Sequence, residues 1–116
     1  MDISEAAKAY IAGYMDGEGC FRWHVYSPEV GVKSCNPYPM KYISSIFGGT
    51  IRKEKGKTKK GKSVYSLRYY GQTAIDVLDC IQEYLIEKKD QAETMIQLFD
   101  LNNKLKQAKR KDHNEH

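Results

Sequence analysis

The sequence predicts a single α+β domain ordered helix, two strands, helix, two strands, helices. Two observations carry this order. Apolar residues recur every three or four positions at the start, in the middle and over the last third, and every second position between those stretches. Glycine or proline punctuates the changes of period, at Gly17 and Gly19, Pro37 and Pro39, Gly48-Gly49 and Gly71. A length of 116 residues gives one domain with a modest core.

Residues 3–15 read as the first helix, with Ile3, Ala7, Tyr10, Ile11 and Tyr14 in phase and Asp2 or Ser4 as its cap. Asp16-Gly17-Glu18-Gly19 then holds two acids between glycines, which stops a helix and leaves Glu18 projecting from its end. Gly13 and Gly17 lie four apart, so one helix face is nearly bare and a second helix could approach closely. Residues 20–26 alternate Phe21, Trp23 and Val25 with Cys20, Arg22, His24 and Tyr26, which is a strand. Residues 27–29 read as a turn and residues 30–35 as the second strand. Asn36-Pro37-Tyr38-Pro39 breaks it and leads into a helix over 40–47, with Tyr42, Ile43 and Ile46 inward and Gly48-Gly49 as its stop. A hairpin follows, out over 50–55, through a Lys- and Gly-rich tip at 56–61, and back over 63–70 with Tyr65, Leu67 and Tyr69 in one phase. After Gly71 come a helix phased on Ile75, Leu78, Ile81 and Leu85, and a second phased on Ala92, Met95, Ile96 and Phe99. The domain spans residues 1–103. Residues 104–116 carry no apolar period and are expected to form a flexible tail.

Four antiparallel strands with helices on one face leave the other face open. That face is expected to carry Arg22, His24, Tyr26, Arg68 and part of the basic hairpin. The net charge is +4, yet residues 52–62 hold seven basic side chains against one acid, Glu54, so the rest of the chain is net acidic. Contact with a polyanion is therefore local. Three cysteines without a CxxC pair read as reduced thiols of an intracellular protein. No signal peptide or long apolar span is present, which argues against secretion and a membrane partner.

The stretch Ile11-Ala12-Gly13-Tyr14-Met15-Asp16-Gly17-Glu18-Gly19 resembles the LAGLIDADG homing endonuclease motif. Ser34-Cys35-Asn36 with the helix ending Ile46-Phe47-Gly48-Gly49 is similar to that family's middle segment, and the stretch from Tyr84 to Ala92 to its late segment. Together the matches run over residues 8–99. The resemblance implies an αββαββα fold whose four-stranded sheet forms a saddle on double-stranded DNA. It also implies that the motif helix packs on a second copy of itself. A single motif then means a homodimer on a pseudo-palindromic target, with Ile11, Ala12, Gly13, Met15, Asp16 and Gly17 at the interface.

By the same resemblance Glu18 binds the catalytic divalent metal, with the Gly17 carbonyl as second ligand. Mg²⁺ is the expected ion, Mn²⁺ a substitute, and Ca²⁺ a non-catalytic one. The residues point the same way, because an acid at a helix C-terminus opposes the macrodipole and calls for a cation. Mg²⁺ needs few protein oxygens, since it keeps several waters. Asp16 reads as structural, capping nearby amides or steadying the partner helix. Lys88 falls where the family carries a basic residue near the scissile phosphate, although Lys89 beside it could take that role and a surface lysine is the plainer account. Asn36 would order solvent, or simply shape a turn before Pro37. Met40 stands where the family often has a further basic residue, for which Lys41 or Lys33 would substitute. For DNA, Arg22, His24, Arg52 and Arg68 are expected at base edges. Lys55, Lys57, Lys59, Lys60 and Lys62 are expected at phosphates, and Tyr26, Lys33, Lys53 and Ser66 complete the set.

The activity implied is site-specific hydrolysis of both DNA strands, leaving 3′ overhangs. Two other roles stay open: a maturase that binds intron RNA, and a regulator that binds DNA without cutting it.

Overall fold

The computed structural model describes residues 2–57 and 60–114, with side chains given up to Lys55 and over residues 60–110. Helix α1 (Glu5–Glu18) starts at Ser4, whose hydroxyl accepts from the Ala7 amide at 3.1 Å. Its buried side is Ala7, Ile11, Ala12 and Met15. The helix runs three residues past its predicted end, through Asp16 and Gly17. Gly19 stops it in an extended conformation (φ −76°, ψ 158°) that leads straight into β1, and its amide donates to the Met15 carbonyl. A Cβ on Gly19 would lie 2.7 Å from that oxygen and 2.9 Å from the Met15 sulfur, so only glycine lets the strand leave so tightly.

Strands β1 (Gly19–His24) and β2 (Ser27–Ser34) form a hairpin. Its turn is Val25-Tyr26 rather than residues 27–29, and Val25 has φ 58°, a strained conformation for a β-branched residue. The early turn draws Pro28 and Glu29 into β2 and pairs Arg22 with Glu29. Pro28 is tolerated because β4 pairs with β2 only from Glu29 onward, so its missing N–H leaves no acceptor stranded there.

Helix α2 (Tyr38–Phe47) begins two residues earlier than predicted, with Pro39 in its first turn. Met40 and Ile43 are its fully buried residues. Tyr42, expected inward, is 43% exposed and meets the Tyr10 ring edge-on. Gly48 and Gly49 take φ of 79° and 93°, which swings the chain back, and Tyr69 Oη donates to the Gly48 carbonyl at 2.7 Å. Burial holds that phenol's pKa up at about 12. Strands β3 (Arg52–Lys57) and β4 (Ser63–Tyr70) form the second hairpin, irregular between Lys53 and Lys57.

Helix α3 (Gly71–Ile81) follows β4 directly and passes into a 3₁₀ turn, Gln82–Tyr84. Leu85 is buried as its phase suggested, but in extended backbone beyond the helix. Helix α4 (Lys89–Asn114) includes residues 104–114, for which a flexible tail was expected. Lys, Gln, Ala and Arg are good helix formers, and Lys104 pairs with Asp100 at 3.1 Å one turn back. Beyond Leu105 the helix carries almost no apolar residue, which leaves no hydrophobic period to read there.

The sheet order is β1-β2-β4-β3, antiparallel throughout. One phase of the strands (Phe21, Val30, Val32, Leu67 and Tyr69) joins the core with Ile11, Met15, Met40, Ile43, Leu78, Ile81 and Met95 from the helices. Trp23, Tyr65 and Tyr69 share that covered phase as predicted. Among the described residues no helix is long and apolar enough to cross a membrane.

Candidate nucleic-acid interface and metal site

The open phase of the sheet carries Cys20, Arg22 and His24 on β1, and Glu29, Gly31 and Lys33 on β2. It continues with Ser66, Arg68 and Tyr70 on β4, and Arg52 and Glu54 on β3. Two concavities lie on it. One, of about 260 Å³, is lined by Glu18, Cys20, Arg22, Glu29, Lys33 and Arg68; the other, of about 290 Å³, by Arg52, Ser66, Arg68 and Tyr70. The candidate metal residue thus opens onto the same face as the basic side chains.

Several expected DNA contacts stand elsewhere. Tyr26 is 82% exposed but lines a cleft with Trp23, Leu98, Leu101 and Leu105, against α4. Lys53 pairs with Tyr65 and so has the phase of the covered face, because it alternates with Arg52 and Glu54. Ser66 has the right phase but is 1% exposed, and its hydroxyl is engaged by Glu54. Lys59 lies outside the described residues, and only the backbone of Lys57 is described. Lys55, Lys60 and Lys62 are exposed around the hairpin tip.

Two acids on this face, Glu29 and Glu54, were given no role from the sequence. Glu29 accepts from Arg22 Nε, with Arg68 Nε 3.7 Å from its other oxygen, and Arg68 Nη2 lies 3.1 Å from Glu54 Oε1. The Arg22 hydrogen bond chiefly holds the Glu29 carboxyl below its ordinary range, outweighing desolvation, with the charge of Arg68 adding to it. The Arg22-to-Glu29 pairing would have shown this partnership had the turn been placed at Val25-Tyr26.

Glu18 is the last residue of α1. Its side chain is exposed and makes no hydrogen bond or ion pair among the described residues. Tyr14 sits one turn back, and its phenol pKa is raised first by burial and then by the Glu18 charge. The helix's last carbonyls lack intrahelical donors. The Met15 carbonyl is met by the Gly19 amide and that of Asp16 by Lys88 Nζ at 2.6 Å, which leaves Gly17 next in the series. Lys88 thereby brings positive charge to the negative end of the helix. Among the described residues no group of three His, Cys, Asp or Glu could close around a metal. An exposed carboxylate beside a helix-end carbonyl is a hard-oxygen donor set that fits Mg²⁺ only if further ligands come from outside the chain.

Asp16 holds the loop that carries Lys88. Its carboxylate accepts from the Ile86 amide at 2.7 Å and the Lys88 amide at 3.0 Å. Desolvation raises its pKa, but the amides of Ile86, Lys88 and Glu87 together with the Lys88 charge outweigh that and leave it lowered. A lowered folded-state pKa contributes stability above the unfolded value and loses it as pH falls through the folded one. Asp16→Asn is therefore expected to cost about 2 kcal/mol at pH 7 in urea melts. The gap from wild type should close below about pH 4. A gap unchanged by acid would remove the charge from this account.

Asn36 Oδ1 accepts from the Tyr38 amide at 3.1 Å, so its oxygen shapes the entry to α2 and only its amide group remains to face solvent. Of the two substitute bases, Lys33 lines the concavity with Glu18, whereas Lys41 Nζ lies 5.0 Å from the Tyr38 ring centroid.

The six residues expected at a dimer face fall on different sides of α1. Ile11, Ala12 and Met15 are fully buried within the chain, because the side of α1 they share with Ala7 packs on α3 and the 3₁₀ turn as well as on β1 and β2. The exposed side carries Ala6, Tyr10, Gly13 and Gly17, and a Cβ on either glycine would meet nothing within 4 Å. Ile86, 88% exposed, follows the same helix end through its bond to Asp16.

No family model matches the sequence, and no curated protein is significantly similar to it in sequence. Solved structures do match. The homing endonuclease I-CvuI in complex with its target, in the presence of calcium, aligns at TM-score 0.68 and 21% identity over 82% of this chain and 66% of its own. I-CvuI with the I-CreI target and magnesium, its DNA not cleaved, gives 0.64 and 22% over 83% and 67%. The archaeal intron-encoded homing endonuclease I-Vdi141I complexed with DNA gives 0.68 and 19% over 85% and 70%. This chain spans about two thirds of the I-CvuI chain, and its α+β architecture is the fold of these homing endonucleases.

Proposed function

We propose that two copies of this chain form a site-specific, metal-dependent DNA endonuclease. One observation carries the reading. An exposed carboxylate without a partner among the described residues, Glu18, ends a helix whose outer side has open space at Gly13 and Gly17, and it opens onto a sheet face rich in arginine and lysine. A second copy packed on Gly13 and Gly17 would bring two Glu18 side chains together at the two-fold axis and join two saddles into one surface. The likeness to homing endonucleases solved with DNA adds the fold.

In this reading Glu18 and the Gly17 carbonyl would hold Mg²⁺ in each copy. Bound there, the ion supplies charge stabilisation on the phosphate and a water of lowered pKa. Lys88, already at that helix end, adds a positive charge toward the phosphate, and the Asn36 amide can donate to ordered solvent. Arg22, Arg52, Arg68 and His24 face base edges. Lys55, Lys60 and Lys62, with Lys57 and Lys59, follow phosphates around the hairpin tip.

The test is incubation of the purified chain with the DNA that flanks its own gene, the gene itself removed. Double-strand cleavage with 3′ overhangs in Mg²⁺ or Mn²⁺, and binding alone in Ca²⁺, is the expected result. Binding without cleavage in any metal would make the protein a regulator. Tight binding of an intron transcript without DNA binding would make it a maturase.

A further inference from the structure

Four charged side chains, one from each strand, run across the open face in strand order with alternating sign: Arg22 on β1, Glu29 on β2, Arg68 on β4 and Glu54 on β3. Glu29 is only 5% exposed although its strand phase points away from the core, because the arginine side chains lie over it. Gly31 makes this possible. It sits opposite Arg68, and a Cβ there would come within 3.0 Å of Arg68 Cγ and 3.2 Å of the Leu67 carbonyl. With glycine the Arg68 stem can lie across β2 and bring its guanidinium between the two carboxylates. The Ser66 and Tyr70 hydroxyls complete the row, on Glu54 and Glu29 respectively.

A row of two arginines and two carboxylates has no net charge, a poor device for gripping phosphates. It is a good device for holding a guanidinium still, because an edge fixed on a carboxylate leaves the remaining N–H groups pointing one way. We propose that Glu29 and Glu54 are positioning residues that aim Arg22 and Arg68 at guanine edges, and that the neutral row weakens binding to non-target DNA. The inference rests on the DNA-binding reading above. It makes the centre of the face selective and leaves general affinity to the lysines at the hairpin tip.

The full chain, Glu29→Gln and Glu54→Gln are each equilibrated with a duplex library carrying a randomised stretch, and the bound pools are sequenced. Salt dependence is measured on one random-sequence duplex. The wild type should enrich guanines at symmetry-related positions. Glu29→Gln should lose about tenfold of that preference at the positions read by both arginines. It should also bind the random duplex more tightly, with a salt slope steeper by roughly 0.9 for each phosphate a released arginine takes up. Glu54→Gln lies on an edge strand and should relax only the positions read by Arg68, and it carries the test alone if Glu29→Gln does not fold. Unchanged base preference and salt slope in variants that merely melt lower would overturn the inference and leave an ordinary ion-pair row. A wild type that binds no DNA would overturn the function and the inference with it.

Discussion

Glu18→Gln should abolish cleavage and leave the fold and DNA binding in place. The side chain is exposed and makes no hydrogen bond or ion pair among the described residues, so an isosteric amide removes charge and nothing else the chain depends on. Surface changes of this kind fall within about 0.5 kcal/mol of wild-type stability. Each dimer would lose two carboxylates that face the DNA backbone, so binding without metal should tighten slightly. Cleavage should fall by about a thousandfold or more, the scale seen when one preorganised charge-stabilising group is removed from an active centre. The measurement is a single-turnover cleavage assay in Mg²⁺ beside a binding titration in EDTA. Near-normal cutting would mean that Glu18 is not the metal ligand. Loss of binding together with cutting would instead place Glu18 in DNA recognition.

The features legible in the sequence were those written as a period. Phe21, Arg22 and Trp23 on β1, and Leu67, Arg68 and Tyr69 on β4, alternate cleanly, and the structure keeps each on its predicted face. Features decided between elements were less visible. Ser27-Pro28-Glu29 has stronger turn chemistry than Val25-Tyr26, and pairing with β4, remote in sequence, draws Glu29 into the sheet. Misplacing that turn by two residues hid the partner of Arg22. The motif helix was ambiguous for another reason. Ile11, Ala12 and Met15 on one side, and Tyr10, Gly13 and Gly17 on the other, are all apolar or small, so either side could face the sheet. Its final glycine was legible as a stop. The reason for it, a Cβ colliding with Met15, appears only when β1 is seen leaving the helix without a linker.

Gly13→Arg should give a stable monomer that neither dimerises nor cuts. Within one chain the position is open: it is exposed, and a Cβ there would meet nothing within 4 Å. Glycine inside a helix costs about 1 kcal/mol relative to a good helix former, so arginine should leave the chain's own stability unchanged or raised. If two α1 helices cross at Gly13 and Gly17, each substituted arginine meets its symmetry mate with both bulk and like charge, at a cost of several kcal/mol. Gly19→Ala is the contrasting control. There the Cβ would lie 2.7 Å from the Met15 carbonyl of the same chain, so that variant should lose folding stability whatever its partner does. Light scattering distinguishes a particle of one 13.4 kDa chain from one of two, and thermal melts rank the variants. A monomeric, well-folded and inactive Gly13→Arg would mean that the glycines on the outer side of α1 serve a second copy. A dimeric and active Gly13→Arg would remove that face from the assembly, and with it the pairing of two Glu18 side chains on which the cleavage mechanism depends.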